Sequence, residues 1–335
     1  MFNCSNEILD FHNKAVLLPT GARKQLRENR KANEDRLKDG LKAASQPAPI
    51  KFVQQGSYAM HTTIQQPNND YDIDDGVLFL KDDLKGAQGT DKSPLDARQM
   101  VCDALQDKAF NKKPEITTNC VRVFYNQGHH VDIPVYRVVN PDSTSTTYEI
   151  ASSEWKISNP EGVTKWFEDC VTRHNGETDD SQLRRMARLL KAFAVSRPSW
   201  NMPSGFILTV LINENYQSDS RDDVAFHSLL SKIKIRLAGN LAVRHPVVSE
   251  DLTKSSEDAN MKELLERIDW ALSKLQVTHD YNCTKKQALK AWREVFNTDF
   301  FDTLIESESA LRSPYAITNS TPTNPVDKKG ANRFG

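Results

Sequence analysis

Apolar and polar positions alternate on two different periods in the two halves of the chain. Strand-like runs occupy about residues 50–56, 72–80, 115–125 and 129–139. They are interrupted by a polar, glycine-containing loop from Lys81 to Ser93 and by a helix predicted near Leu95 to Ala109. From Glu161 onward the period becomes helical: Leu183, Met186, Leu190 and Phe193 fall on one stripe, as do Phe226, Leu229, Leu230, Ile233 and Leu237. The first forty-five residues, dense in Lys, Arg, Glu and Asp between Arg23 and Lys42, read as one long helix whose charge forms a solvated face. The fold class expected is α+β. A mixed-sheet lobe with its N-terminal helix spans 1–160, an α-helical lobe spans 161–312, and a Thr/Asn/Ser/Pro-rich tail spans 313–335.

Chemistry concentrates in the second strand-like run. Asp72-Ile73-Asp74-Asp75-Gly76 leads into Val77-Leu78-Phe79-Leu80, and residues two apart on a strand share a face, so Asp72 and Asp74 project side by side while Ile73 turns into the core. Paired carboxylates suit a hard divalent cation. Upstream, Gly56-Ser57-Tyr58 supplies a turn in which glycine lets the backbone approach phosphate and the serine hydroxyl can donate to its oxygens. A solvated aspartate-rich turn after Pro67-Asn68-Asn69 is the alternative. An EF-hand is rejected, because counting from Asp70 the glycine falls at the seventh position and the twelfth is Lys81.

A third carboxylate follows. Asn126-Gln127-Gly128 marks a hairpin, and in the run after it Asp132 shares a face with His130 and Pro134, away from Val131, Ile133 and Val135. It could meet Asp72 and Asp74. His129 and His130 are adjacent on a strand, face opposite ways, and receive no metal role. On the helix from Ser181 to Ser196, Arg184, Arg188 and Lys191 recur at i, i+4 and i+7, a cationic stripe that could meet a triphosphate or could be a solvated basic face. Ser204, after Pro203, reads as a helix N-cap or as a phosphate contact. Tyr58 and the five tryptophans read as packing residues.

At these motifs the chain resembles the bacterial CD-NTases, relatives of cGAS and the oligoadenylate synthases that make cyclic oligonucleotide signals in CBASS anti-phage defence. The resemblance rests on Gln54-Gln55-Gly56-Ser57-Tyr58-Ala59-Met60 with Thr62-Thr63-Ile64, on Asp72-Ile73-Asp74-Asp75-Gly76-Val77, and on Val131-Asp132-Ile133-Pro134-Val135-Tyr136. It extends through Trp155, Ser158-Asn159-Pro160, the Arg184, Arg188 and Lys191 helix, and Pro203-Ser204-Gly205 to Trp292 and Phe296, about residues 10 to 310. His61 departs from it, since a small residue, often glycine, is expected there.

The resemblance implies a polymerase-β-like nucleotidyltransferase that makes a cyclic di- or trinucleotide from ATP and other NTPs. It implies two Mg²⁺ ions, with Mn²⁺ able to stand in, held by Asp72, Asp74 and Asp132. Gly56, Ser57, Lys191 and Ser204 would hold the triphosphate, and a downstream effector would respond to the product. Some CBASS operons encode an E1/E2-like ligase that conjugates the synthase through its C-terminal residue, which would make Gly335 a conjugation site. A nucleotidyltransferase of the same fold acting on an RNA end, a small molecule or a protein is the rival reading, and a non-enzymatic nucleotide-binding regulator is a third.

Composition agrees with these expectations. A net charge of −1 from 44 basic and 45 acidic residues carries no positive field for nucleic acid, so no obligatory nucleic-acid partner is expected. No apolar run approaches the ~20 residues of a membrane span, and Met1-Phe2-Asn3-Cys4 does not begin a signal sequence, so a cytoplasmic location is expected. Five scattered cysteines without a C-x-x-C pair read as reduced thiols.

Overall fold

Where the charge pattern predicts one long N-terminal helix, the chain forms two. In the computed structural model, which describes residues 1–86, 88–141, 146–174 and 180–310, α1 (Ser5–Phe11) runs into a wider π-type turn, His12–Val16, and α2 (Thr20–Ala43) starts afresh. The break has a local cause. Pro19 lacks an N–H and disfavours helix in the residue before it, and Leu17 and Pro19 are both extended. The two helices go to different cores. Ile8 and Phe11 join the helical half, whereas Leu26, Leu37 and Leu41 of α2 pack under the sheet. α1 therefore packs with the second half of the chain, although the expected first lobe of 1–160 included it.

The sheet is built around one strand. β1 (Lys51–Gln55) leads through a single helical turn, α3 (Gly56–Ala59), to β2 (Asp72–Leu80), and α4 (Pro94–Ala104) is started by a Ser93/Asp96 capping box. Then come β3 (Glu115–Ile116), β4 (Val121–Phe124), β5 (His130–Ile133), β6 (Val135–Val139), β7 (Thr147–Ala151) and β8 (Trp155–Ser158). The predicted strand 129–139 is split at Pro134, which cannot donate to a ladder. Its two pieces lie end to end along β2, both parallel to it, while β1 pairs with the opposite edge of β2 antiparallel. The hairpin expected at Asn126-Gln127-Gly128 joins β4 and β5.

Alternation along β2 decides what each residue meets. Ile73, Val77 and Phe79 are fully buried against α2 and α4, and Asp72, Asp74, Gly76 and Leu78 take the other face. Asp75 shares the buried face, 2% exposed, and one of its carboxylate oxygens has no hydrogen-bond partner. Burial, then the neighbouring Glu34 carboxylate, pushes its pKa up to about 7.

The second half is helical: α5 (Pro160–Arg173), α6 (Gln182–Ala194), α7 (Gly205–Asn215), α8 (Asp222–Gly239), α9 (Ala259–Leu275), α10 (Lys285–Phe296) and α11 (Asp302–Ala310). Side-chain caps start most of them: Asn159, Ser181, Ser204, Asp258, and Thr284 in a box with Gln287. Both expected apolar stripes are buried, and Trp292, fully buried, stacks on Phe296 at 5.9 Å. Truncating such a side chain to alanine costs about 3–5 kcal/mol. All five cysteines are unpaired, four of them buried. Among the described residues no helix is long and apolar enough to cross a membrane. The tail, and Gly335 with it, lies outside the described residues.

Candidate active site

The parallel register of β2 and β5 sets Asp72 beside His130 and Asp74 beside Asp132. All four side chains then project from the same face. His130 Nε2 lies 3.8 Å from Asp72 Oδ2 and 4.0 Å from Asp132 Oδ1. Asp72, His130 and Asp132 each offer a ligand atom within 4.8 Å of the others. His130 is the residue that sequence reasoning passed over. The i, i+2 spacing of His130 and Asp132 carries the signal, whereas the divergence of His129 and His130 bears only on those two sharing one ion.

Two features of this face suit a cation. His130 Nε2 is buried without a hydrogen-bond partner. Burial and the neighbouring carboxylates also push both β2 aspartates above the usual carboxylate range: for Asp72 desolvation and then Asp132, for Asp74 desolvation and then Asp72 and Asp132. Arg122 supplies part of the missing charge. Across the β4–β5 register it donates to both oxygens of Asp132, each bond 2.7 Å.

The Gly56 turn closes over these carboxylates. Gly56 has φ +67°, and the chain then makes the single turn of α3. Ser57 Oγ is 2.9 Å from Thr63 Oγ1. The turn ends as a Schellman motif: His61 N–H donates to Tyr58 O and Thr62 N–H to Ser57 O, at 3.1 and 2.8 Å. That motif requires a left-handed residue at His61, which has φ +55°. Glycine is the usual occupant, and a side chain there carries a strain of about 1–3 kcal/mol. The structure thus explains why a small residue is expected at position 61.

The cationic stripe of α6 is not a solvated face. Arg184, Arg188 and Lys191 are 3%, 1% and 8% exposed, and they donate to three successive carbonyls: Met60 O at 3.2 Å, His61 O at 3.0 and 2.6 Å, and Thr62 O at 3.3 Å. Lys191 Nζ also donates to Thr62 Oγ1 at 2.8 Å. Desolvation lowers the Lys191 pKa to about 8, against the opposing pull of Asp72.

A carboxylate-bearing β2 behind a Gly-Ser turn matches a known family. The family described as cyclic GMP-AMP synthase DncV-like, nucleotidyltransferase domain, matches residues 50–136. These residues form a DncV-like nucleotidyltransferase domain. A curated relative, the c-di-GMP synthase of Roseivirga ehrenbergii, is 26% identical over 212 residues, covering 55% of this chain and 54% of that protein. The chain thus spans about half the length of the curated relative it matches. The similarity in fold reaches further. Vibrio cholerae DncV cyclic AMP-GMP synthase, solved with the linear intermediate pppA(3′,5′)pG, superposes with a TM-score of 0.72 at 16% identity, over 91% of this chain and 99% of that one. Escherichia coli DncV with 3′-deoxy GTP gives 0.68 at 16% identity, over 87% and 94%.

Between the nucleotidyltransferase domain and helices α5 to α7 lies a cleft of about 750 Å³, within the range of small-ligand sites. Asp72, Asp74, Gly56, Ser57 and Lys191 line its polar end, and Met202, Phe206 and Trp200 its apolar end. Trp200, expected to be packing only, is half-buried in this wall with the Arg197 guanidinium 4.5 Å from its ring centroid. Asp132 sits behind Asp72, outside the lining. Ser204 is also outside it: exposed, it caps α7 by accepting from Ile207 N–H at 3.4 Å, while its neighbours Pro203 and Gly205 line the cleft. The carboxylates, the turn and Lys191 therefore come together, and Ser204 stands at the rim.

Proposed function

We propose that the chain is a cyclic oligonucleotide synthase that joins nucleoside triphosphates, ATP among them, into a cyclic di- or trinucleotide messenger for anti-phage signalling in the cytoplasm. One observation carries this reading: two β2 carboxylates, a Gly-Ser turn and a buried lysine line one nucleotide-sized cleft. The fold supports it, being that of a solved cyclic AMP-GMP synthase, as does the curated c-di-GMP synthase relative.

In this reading Asp72, Asp74 and Asp132 hold two Mg²⁺ ions, with Mn²⁺ able to replace them. Held there, such ions would supply Lewis-acid activation of the acceptor hydroxyl and would neutralise charge on the departing pyrophosphate. His130, buried between Asp72 and Asp132 with a ring nitrogen that has no hydrogen-bond partner, would add a nitrogen donor to theirs. Gly56 and Ser57 bring the backbone against the triphosphate, Lys191 supplies positive charge from beneath the turn, and Ser204 with the first amides of α7 closes the rim. The apolar end of the cleft takes the bases and excludes water from the reacting groups. Because donor and acceptor are joined before the ring closes, a linear 5′-triphosphate dimer precedes the cyclic product.

The test is incubation of purified protein with the four NTPs and Mg²⁺, followed by phosphatase treatment and mass spectrometry. A phosphatase-resistant cyclic product is expected from the native chain and none from the Asp72→Asn/Asp74→Asn double variant. Equal product from both would remove the carboxylates from the chemistry. Transfer seen only when an RNA, small molecule or protein acceptor is added would assign the cleft to acceptor modification instead.

A further inference from the structure

Left-handed backbone at His61 is held from outside its own loop, and the holding group is Arg188. Its Nε and Nη2 both donate to His61 O, at 3.0 and 2.6 Å, while Nη1 lies 3.2 Å from His12 Nε2. For His12 to accept there, its proton must sit on Nδ1, which is 2.7 Å from the acceptor Asn13 Oδ1. Burial lowers the His12 pKa to about 4, so the ring is neutral and free to accept. The guanidinium is thus fixed by the π-type turn of the N-terminal segment on one side and by a strained peptide on the other. The side chain is 1% exposed.

The carbonyl it grips is the one that matters. In a Schellman motif the left-handed residue closes the helical turn before it, so freeing that residue opens the bonds from His61 N–H to Tyr58 O and from Thr62 N–H to Ser57 O. Those two bonds fix the carbonyls of Ser57 and Tyr58, and with them Gly56 and Ser57 of the cleft wall. A glycine at position 61 would adopt the conformation unaided, whereas a histidine needs the carbonyl held. Arg184 and Lys191 grip the carbonyls on either side, each at a distance above 3.1 Å, whereas Arg188 meets the strained residue with a fork.

We propose that Arg188 is a positioning residue for the Gly56-Ser57 turn, holding His61 in its left-handed conformation so that the turn is pre-formed for a triphosphate. The binding part of this statement rests on the nucleotide reading above; the conformational part does not.

A rescue cycle tests it. Affinity for a non-hydrolysable ATP analogue with Mg²⁺ is measured calorimetrically for the native chain, Arg188→Met, His61→Gly and the double variant, and amide hydrogen exchange over residues 56–63 is followed on the same proteins without nucleotide. Arg188→Met is expected to weaken binding about tenfold or more and to speed exchange at His61 and Thr62. Adding His61→Gly is expected to return affinity to within about threefold of native and to restore protection, because the strain is gone. A general loss of packing around Arg188 would not be repaired by relieving backbone strain at position 61. Native-like binding by Arg188→Met, or a double variant no better than the single, overturns the proposal. Should Arg188→Met not fold, Arg188→Lys, which keeps the charge but not the fork, takes its place with the same expectations at smaller size. If the native chain binds no nucleotide, the functional reading fails, and the exchange data alone decide on Arg188: unchanged rates at His61 and Thr62 overturn it.

Discussion

Gly56 and Asp74 are packed so closely that the absent side chain of the glycine is part of the site. A Cβ on Gly56 would lie 2.9 Å from Cγ of Asp74, and nearer still to its Oδ2, on a residue already at φ +67°. Gly56→Ala must therefore displace either the turn or a β2 carboxylate. The expected result is a loss of NTP turnover of about a hundredfold or more with a melting temperature only a few degrees lower, read by product chromatography and by calorimetry. Native turnover by this variant would show that the turn and the carboxylate do not act together.

Arg122 and Asp132 pair at 2.7 Å on the carboxylate-bearing face of the sheet, with Asp132 8% exposed and Arg122 about one-third exposed. Removing the arginine leaves a buried carboxylate beside Asp72 and His130. Breaking a fully buried pair costs about 3–5 kcal/mol, and the solvent reaching Arg122 reduces that to about 1–3 kcal/mol. A divalent cation can restore the lost charge, so Mg²⁺ or Mn²⁺ should raise the melting temperature of Arg122→Met by more than it raises that of the native chain. Equal shifts in differential scanning fluorimetry, compared against chelator, would mean that Asp132 takes no part in holding the ion.

Lys191 gives the site a pH limit. With its pKa lowered to about 8 by burial, it is charged below that pH and loses its charge as pH rises through it, while the triphosphate keeps its own. kcat/KM for NTP should fall between pH 8 and 9.5 through a rise in KM. Lys191→Arg, which stays charged, should flatten that fall even if its activity is lower. A profile in which Lys191→Arg falls in parallel with the native chain would assign the limit to another group.

Asp75 makes stability itself pH-dependent, in the direction opposite to a salt-bridged aspartate. Its pKa is about 7 in the fold against the ordinary 3.8, so the folded chain holds a proton that the unfolded chain has released. Stability from this group is present below about pH 4 and is lost as pH rises to 7, by an amount on the order of a few kcal/mol. Asp75→Asn, which needs no proton to be neutral, should be more stable than the native chain at pH 8 and should narrow that difference at pH 5. Urea melts at the two pH values measure it, and a difference independent of pH would show that Asp75 is paired as an anion.

Much of this architecture is local in origin and could be read along the chain. The strand geometry of Asp72 to Leu80 placed Asp72 and Asp74 on one face and Ile73 on the other, because successive side chains on a strand alternate. The Asn126-Gln127-Gly128 hairpin, the buried stripes of α6 and α8, and the Gly56 turn were legible for the same reason: each follows from a short-range steric or periodic rule.

Relations between distant segments were not legible. Nothing in the sequence sets β5 beside β2 in the register that makes His130 a neighbour of Asp72, because parallel pairing is chosen by the packing of the whole sheet. The Arg122 partner of Asp132 depends on the β4–β5 register in the same way. The α6 cations could be assigned to solvent or to a phosphate, and tertiary structure gave them partners neither reading contained, the carbonyls of residues 60 to 62, because a Schellman turn pressed against a helix leaves buried acceptors that must be satisfied. Sequence determined which groups this protein owns and which way each strand and helix turns them; only the fold decided which of them meet, because such meetings join residues as distant in the chain as Arg188 and His12, 176 positions apart, and no local preference reaches that far.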